Sequence, residues 1–203
     1  MQTISAILLK SALQFTTDAT VAEGEAKPDK EMQSSLLAHL TMAIALEGLA
    51  NDLSHAFFDK ETYRDIERKC DTVLKWRLLT SQDGHSPLDK GKPHLQVVAE
   101  LQSIRNNDLV HPKPFDMGNE IIIRSTNGNI QRNAPLDQKL SDGDEIHVSL
   151  GKLLDKFNAK ITRRRLVALF DASIYLRDHL SADGLDWLND QRVAAIKIKN
   201  RST

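Results

Sequence analysis

The run from Asp29 to Phe58 constrains this fold more than any other stretch. Leu37, Leu40, Ala43, Ile44, Leu46, Ala50, Leu53 and Phe57 recur there at helical steps. Such periodicity marks one helical face, and a stripe this wide marks a helix packed on more than one neighbour. Asp29 suits an N-cap, and Lys30 and Glu31 suit a first turn. Glu47 falls on the edge of the stripe, with Asn51 one turn later. A carboxylate in that place either is hydrogen-bonded inside a bundle or faces a cleft and assists chemistry there.

Further helical patterns flank this one. The N-terminal MQTISAILLKSALQFTT predicts a peripheral amphipathic helix, and residues 18–30, with Gly24 and Pro28, a loop. A helix is expected over about 60–80, with Tyr63, Ile66, Val73, Leu74, Arg77 and Leu78 as its seam and Trp76 as its anchor. Residues 81–93 carry every turn signal, and His85 and His94 beside them read as solvated. The pattern resumes near Leu150 and runs to about 181, as one helix or as two broken near Asn158. A short helix and a frayed basic tail at about 184–203 follow.

Between the helical tracts the texture changes. Residues 120–125 are rich in isoleucine, Asn127-Gly128 is a strong hairpin signal, and residues 129–132 and 145–149 complete two more strand patterns. The predicted architecture is therefore mainly α, an antiparallel helical bundle, with a small antiparallel β-meander inserted at about 119–149. One domain spanning 1–203 is the natural expectation at this length.

Composition limits the chemistry. With 40% hydrophobic and 27% charged residues the chain is an ordinary folded protein. Its formal net charge of −1 supplies no bulk attraction for nucleic acid, so such binding would need a local patch. The single cysteine, Cys70, excludes an internal disulfide and fits a reducing compartment. Lys10 interrupts the early apolar run and no basic residue precedes it. That pattern predicts neither signal peptide nor membrane span, and hence a cytoplasmic location. No phosphate-cradling GxxxxGK[ST], HExxH or zinc-type Cys/His spacing occurs, so neither a metal nor a cofactor is expected.

The chemistry-bearing stretch is Leu95–Pro114, LQVVAELQSIRNNDLVHPKP. Leu95, Val98, Leu101 and Ile104 form one helical face, and the pattern then breaks on Arg105-Asn106-Asn107-Asp108-Leu109-Val110-His111 ahead of Pro112. Positions six apart point roughly 120° away from each other on a continuing α-helix, so Arg105 and His111 converge only if the helix stops. A residue before proline is pushed out of the α region, and His111 is that residue. An imidazole and a guanidinium meeting at a helix end can handle a phosphodiester, one moving protons, the other stabilising negative charge. The alternative is two surface cations at a helix C-terminus, where the dipole favours them. Lys113 beside the motif, and Lys160 with Arg163-Arg164-Arg165, the densest positive patch, are candidate phosphate contacts. They equally suit a solvated face.

RNNDLVHP, closing an amphipathic helix, resembles the Arg-x4–6-His signature of the HEPN superfamily (higher eukaryotes and prokaryotes nucleotide-binding domain). LLAHLTMAIALEGLANDLSHAF resembles that family's long first core helix, and LVALFDASIYLRDHL its closing helix. The resemblance covers residues 30–111 and 160–181. It implies a homodimer in which two Arg–His motifs build one cleft that cleaves RNA without metal. His111 would act as general base or acid, Arg105 would stabilise the phosphate, and Asn106 would orient one of them. Only RNA carries the attacking 2′-hydroxyl, and the product would bear a 2′,3′-cyclic phosphate. Toxins and defence nucleases of this kind often pair with a neutralising partner protein. The rival implication is a non-catalytic HEPN-like dimeric module that binds a nucleotide, RNA or a protein.

Overall fold

The computed structural model describes residues 3–82, 87, 89, 91–110, 120–125, 129–132, 143, 145–149, 156–180 and 185–200. Among these residues seven α-helices form the body: α1 (Ile4–Gly24), α2 (Pro28–Phe57), α3 (Lys60–Lys69), α4 (Thr72–Thr80), α5 (Pro93–Ser103), α6 (Ala159–His179) and α7 (Trp187–Lys199). A π-helical segment, Ile104–Val110, continues α5 directly.

Helices α1 and α2 make an antiparallel hairpin. Residues 18–30 do not form the expected loop, because α1 runs on to Gly24 and only 25–27 turn the chain. The turn is a Schellman cap: Lys27 N–H reaches Ala22 O at 2.9 Å and Ala26 N–H reaches Glu23 O at 3.1 Å. It forces Ala26 to φ 54°, a left-handed backbone that costs an L-residue roughly 1–2 kcal/mol. Ala26→Gly is accordingly expected to stabilise the protein by about 0.5–1 kcal/mol, read as a higher urea midpoint at unchanged slope.

Nor is α1 peripheral. Ala6, Leu9, Ala12, Ala19 and Ala22 are buried, and these small side chains let α1 lie close along α2. At Gly48 a Cβ would stand 3.4 Å from the Cβ of Ser5, which fixes how near the two backbones come. The α2 stripe is likewise rotated from its expected position. Leu37 and Ile44 are exposed, whereas Ala38, His39, Met42, Ala45, Leu46 and Leu49 are buried.

The helix expected over 60–80 is two helices. Cys70 is extended at φ −105°, ψ 132°, and the Asp71 side chain accepts from Leu74 N–H at 2.7 Å, capping α4. Trp76 and Leu79 then enter the core fully buried, beside Leu46, Leu95, Leu101, Leu166 and Phe170. Asn158 caps α6 by accepting from Ile161 N–H at 2.9 Å, so a helix begins there, while 150–155 lie outside the described residues. His94 is half-buried rather than freely solvated. It stacks on Tyr175 with ring centroids 4.5 Å apart. His85 lies outside the described residues. Helix α2 is long and apolar enough to cross a bilayer, yet 56% of its most apolar window is buried inside the protein.

The expected β-meander is a correction. Among the described residues no strand enters the helical body, and three short strands, β1 (Glu120–Arg124), β2 (Ile130–Arg132) and β3 (Glu145–Ser149), pair in the order β2-β1-β3. A meander would put β2 in the middle. Instead β1 is central, because β3 pairs with it along five residues, Glu120↔Ser149 to Arg124↔Glu145, against three for β2. The longer ladder satisfies more backbone groups. The Asn127-Gly128 turn lies outside the described residues.

Candidate functional site at the π-helical end of α5

The helix bearing the Arg–His stretch does not stop at Arg105. It widens, carrying 104–110 in π geometry up to the residue before His111. Two anchors hold its near end. Gln102 Nε2 donates to Ala43 O on α2 at 3.0 Å, and Ile104 is buried. π turns within helices are rare, and many mark functional sites.

Arg105 occupies the second position of this segment. Its Nη1 lies 3.2 Å from Glu47 Oε2, each side chain about one-third exposed at 33%. A pair this open contributes at most about 1 kcal/mol to stability. Its larger effect is positional, since the carboxylate holds the guanidinium at the surface of α2. Asn106 is exposed, and Asn107 Nδ2 donates to Ser103 Oγ at 3.0 Å, bracing the turn.

One turn further along α2, Asn51 Oδ1 accepts from Lys75 Nζ at 2.8 Å. Lys75 is only 2% exposed, which is unusual for an ammonium whose hydrogen-bond partner is a neutral amide. Its burial is not among the sequence expectations, although the sequence carries a signal for it. Thr72, Lys75, Trp76 and Leu79 fall at i, i+3, i+4 and i+7, and all four are buried. The structure thus joins Glu47 to Arg105 and Asn51 to Lys75 along one face of α2. His111 and Lys113 lie outside the described residues.

The arginine cluster divides three ways instead of forming one patch. Arg163 is buried and donates to Glu23 Oε2 at 2.5 Å and to Thr20 Oγ1 at 3.3 Å, tying α6 to the end of α1. Arg165 donates twice to Glu100 Oε1, at 2.6 and 2.8 Å, and to His39 Nε2 at 2.9 Å. Arg164 alone of the three is exposed. Consecutive helical residues point about 100° apart, so a triple run cannot face one way.

His39, behind Arg165, is fully buried. Burial depresses its pKa to about 4, against the opposing pull of its hydrogen bond to Ser35 O, and the Arg165 charge lowers it further. The ring is therefore neutral, with Nδ1–H donating to Ser35 O at 2.7 Å and Nε2 accepting from Arg165. Among the described residues no group of three His, Cys, Asp or Glu side chains is placed to hold a metal ion. Compared with models of known families, with curated proteins and with solved structures, the chain matches none.

Proposed function

We propose that this protein is a metal-independent endoribonuclease of the HEPN kind, acting as a homodimer. The reading is carried by one observation: Arg105 is held half-open against Glu47 on a π-helical turn that leads straight into His111. In the proposed reaction the ribose 2′-oxygen attacks the adjacent phosphorus while His111 takes its proton. The bond from phosphorus to the 5′-oxygen breaks, and that oxygen receives a proton from a histidine. Arg105 stabilises the charge gathering on the phosphoryl oxygens. Asn106, exposed beside Arg105, is free to orient the phosphate. The exposed Leu37 and Ile44, on the same helix as Glu47, offer an apolar strip for a second copy close to the site.

The second reading is a dimeric binding module without catalysis. It is favoured by the net charge of −1 and by the commitment of Arg163 and Arg165 to protein partners.

One experiment separates them. Wild type, Arg105→Ala and His111→Ala are incubated with single-stranded and structured RNA in EDTA, and product ends are assayed for 2′,3′-cyclic phosphate. A nuclease loses about a hundredfold in rate or more in each variant. Equal behaviour of all three proteins leaves the binding module. Light scattering on the same preparations reports the dimer.

A further inference from the structure

At the far end of α2 the chain turns into α3, and the corner holds a groove of about 460 Å³ lined by His55, Phe58, Lys60, Tyr63, Arg64 and Glu67. Its floor is aromatic. His55 meets Tyr63 edge to face, with centroids 5.1 Å apart and planes at 85°, and Phe58 sits beside them, partly exposed. The Tyr63 hydroxyl donates to Glu67 Oε1 at 3.3 Å, steadying the ring. Its rim is basic. Lys60 and Arg64 are exposed, and among the described residues neither forms an ion pair, although Lys27, Lys69, Arg105 and Arg177 all do.

The aromatic floor and the two cations select for the same ligand chemistry, while the Glu67 carboxylate in the lining is engaged by the Tyr63 hydroxyl. Exposed aromatic faces recognise flat π-systems, and unpaired cations beside them recognise phosphate. The volume falls in the range of small-molecule sites, roughly 300–1,000 Å³. Ile66 is the one buried residue of α3, so the groove face of that helix contributes nothing to the core and is free for a ligand.

We propose that this groove is a nucleotide-stacking subsite, taking a base against Tyr63 and Phe58 with its phosphate on Lys60 and Arg64. Its position deepens the ribonuclease reading, on which this further step rests. Glu47, Asn51 and His55 are spaced four residues apart along one slowly turning stripe of α2. The groove thus lies about 12 Å along the helix axis from the Arg105–Glu47 pair, and the flanking strand of an RNA held at Arg105 would reach it.

The test measures binding, so it does not depend on cleavage. A fluorescein-labelled single-stranded decauridylate is titrated with wild type, Tyr63→Ala, Tyr63→Phe, Lys60→Ala/Arg64→Ala and Arg105→Ala by polarisation at low salt, after circular dichroism confirms folding. Loss of one stacked base weakens binding at least about fivefold, which is expected for Tyr63→Ala and for the double variant. Tyr63→Phe keeps the ring and is expected to bind as wild type does. Displacement of the probe by uridine monophosphate identifies a free nucleotide as a sufficient occupant, and resistance to displacement assigns the groove to the strand; each supports the subsite. Absence of binding by wild type, equal affinity in Tyr63→Ala, or a Tyr63→Phe as weak as Tyr63→Ala overturns it. Retained cleavage with unchanged groove variants overturns the subsite alone. Groove-dependent binding without any cleavage overturns the nuclease alone.

Discussion

Trp76→Ala is expected to lower the unfolding free energy by about 3–5 kcal/mol, the cost of removing a large aromatic from a packed core. The indole is completely buried and belongs to the central apolar cluster with Leu46, Leu79 and Phe170. Domains of this size are stable by only about 5–15 kcal/mol, so one substitution would remove a large share of the total. Urea denaturation read by circular dichroism measures the loss. Trp76→Phe is the informative control. It retains a ring but gives up the indole N–H, which donates to Leu46 O at a long 3.4 Å. A cost for Trp76→Phe well below that of Trp76→Ala assigns the effect to packing. Equal costs would place the weight on that hydrogen bond, and a cost under 1 kcal/mol for Trp76→Ala would mean that the indole does not hold α4 to the core.

Acid is expected to have the next largest effect, through His39. Its folded pKa of about 4 lies below the ordinary imidazole value of 6.5, so the unfolded chain binds the proton more readily. Stability conferred by the neutral ring is complete above about pH 6.5 and falls as the pH is lowered toward 4. The fall from 6.5 to about 4 corresponds to a loss of roughly 3 kcal/mol once both states are protonated. Burial of the ring is the main cause, and Arg165 adds to it: an imidazolium at this position would turn its Nε2–H toward Arg165 Nη1, 2.9 Å away, cation against cation. His39→Gln offers Arg165 an acceptor and does not titrate. Urea midpoints measured between pH 7 and pH 4 should fall steeply in wild type and markedly less in His39→Gln, which subtracts every other titrating group. Parallel curves would remove His39 as the cause.

Much of the helical body was legible because apolar periodicity reports burial directly. The long α2 follows from its stripe, α5 from Leu95, Val98 and Leu101, and α6 from the run through Leu169 and Phe170. Errors came where small or polar residues do the packing. Ala12, Ala19, Ala38 and Ala45 are all fully buried, yet alanines add little to an apolar pattern built from large side chains, so the α1–α2 contact leaves only a faint trace in the sequence. Leu37 and Ile44 look like core and are exposed for the complementary reason. The break at Cys70-Asp71 was hidden because the apolar seam continues across it, while the Asp71 cap is one side chain's hydrogen bond. The order of the three strands depends on which distant segment pairs with β1, a non-local fact that alternation does not encode.

The candidate site divides in the same way. Arg105, Glu47 and Asn51 were found as residue types at helical spacing, and the structure pairs the first two. The π widening was not legible, since Arg105-Asn106-Asn107-Asp108 carries no apolar period to measure. Lys75 escaped because a lysine is ordinarily read as solvent-facing.

That lysine changes the character of the α2 surface. Arg105 and Lys75 bring two cationic side chains to one face of α2, where Arg105 has the Glu47 carboxylate as its partner and Lys75 only the neutral Asn51 amide, within a chain that sums to −1. Field lines from a partly enclosed ammonium spread through protein instead of being quenched by water. An anion approaching the helix would feel an attraction opposite in sign to the molecule's far field, and only within about 8 Å at physiological ionic strength. Diluting the salt would lengthen that reach.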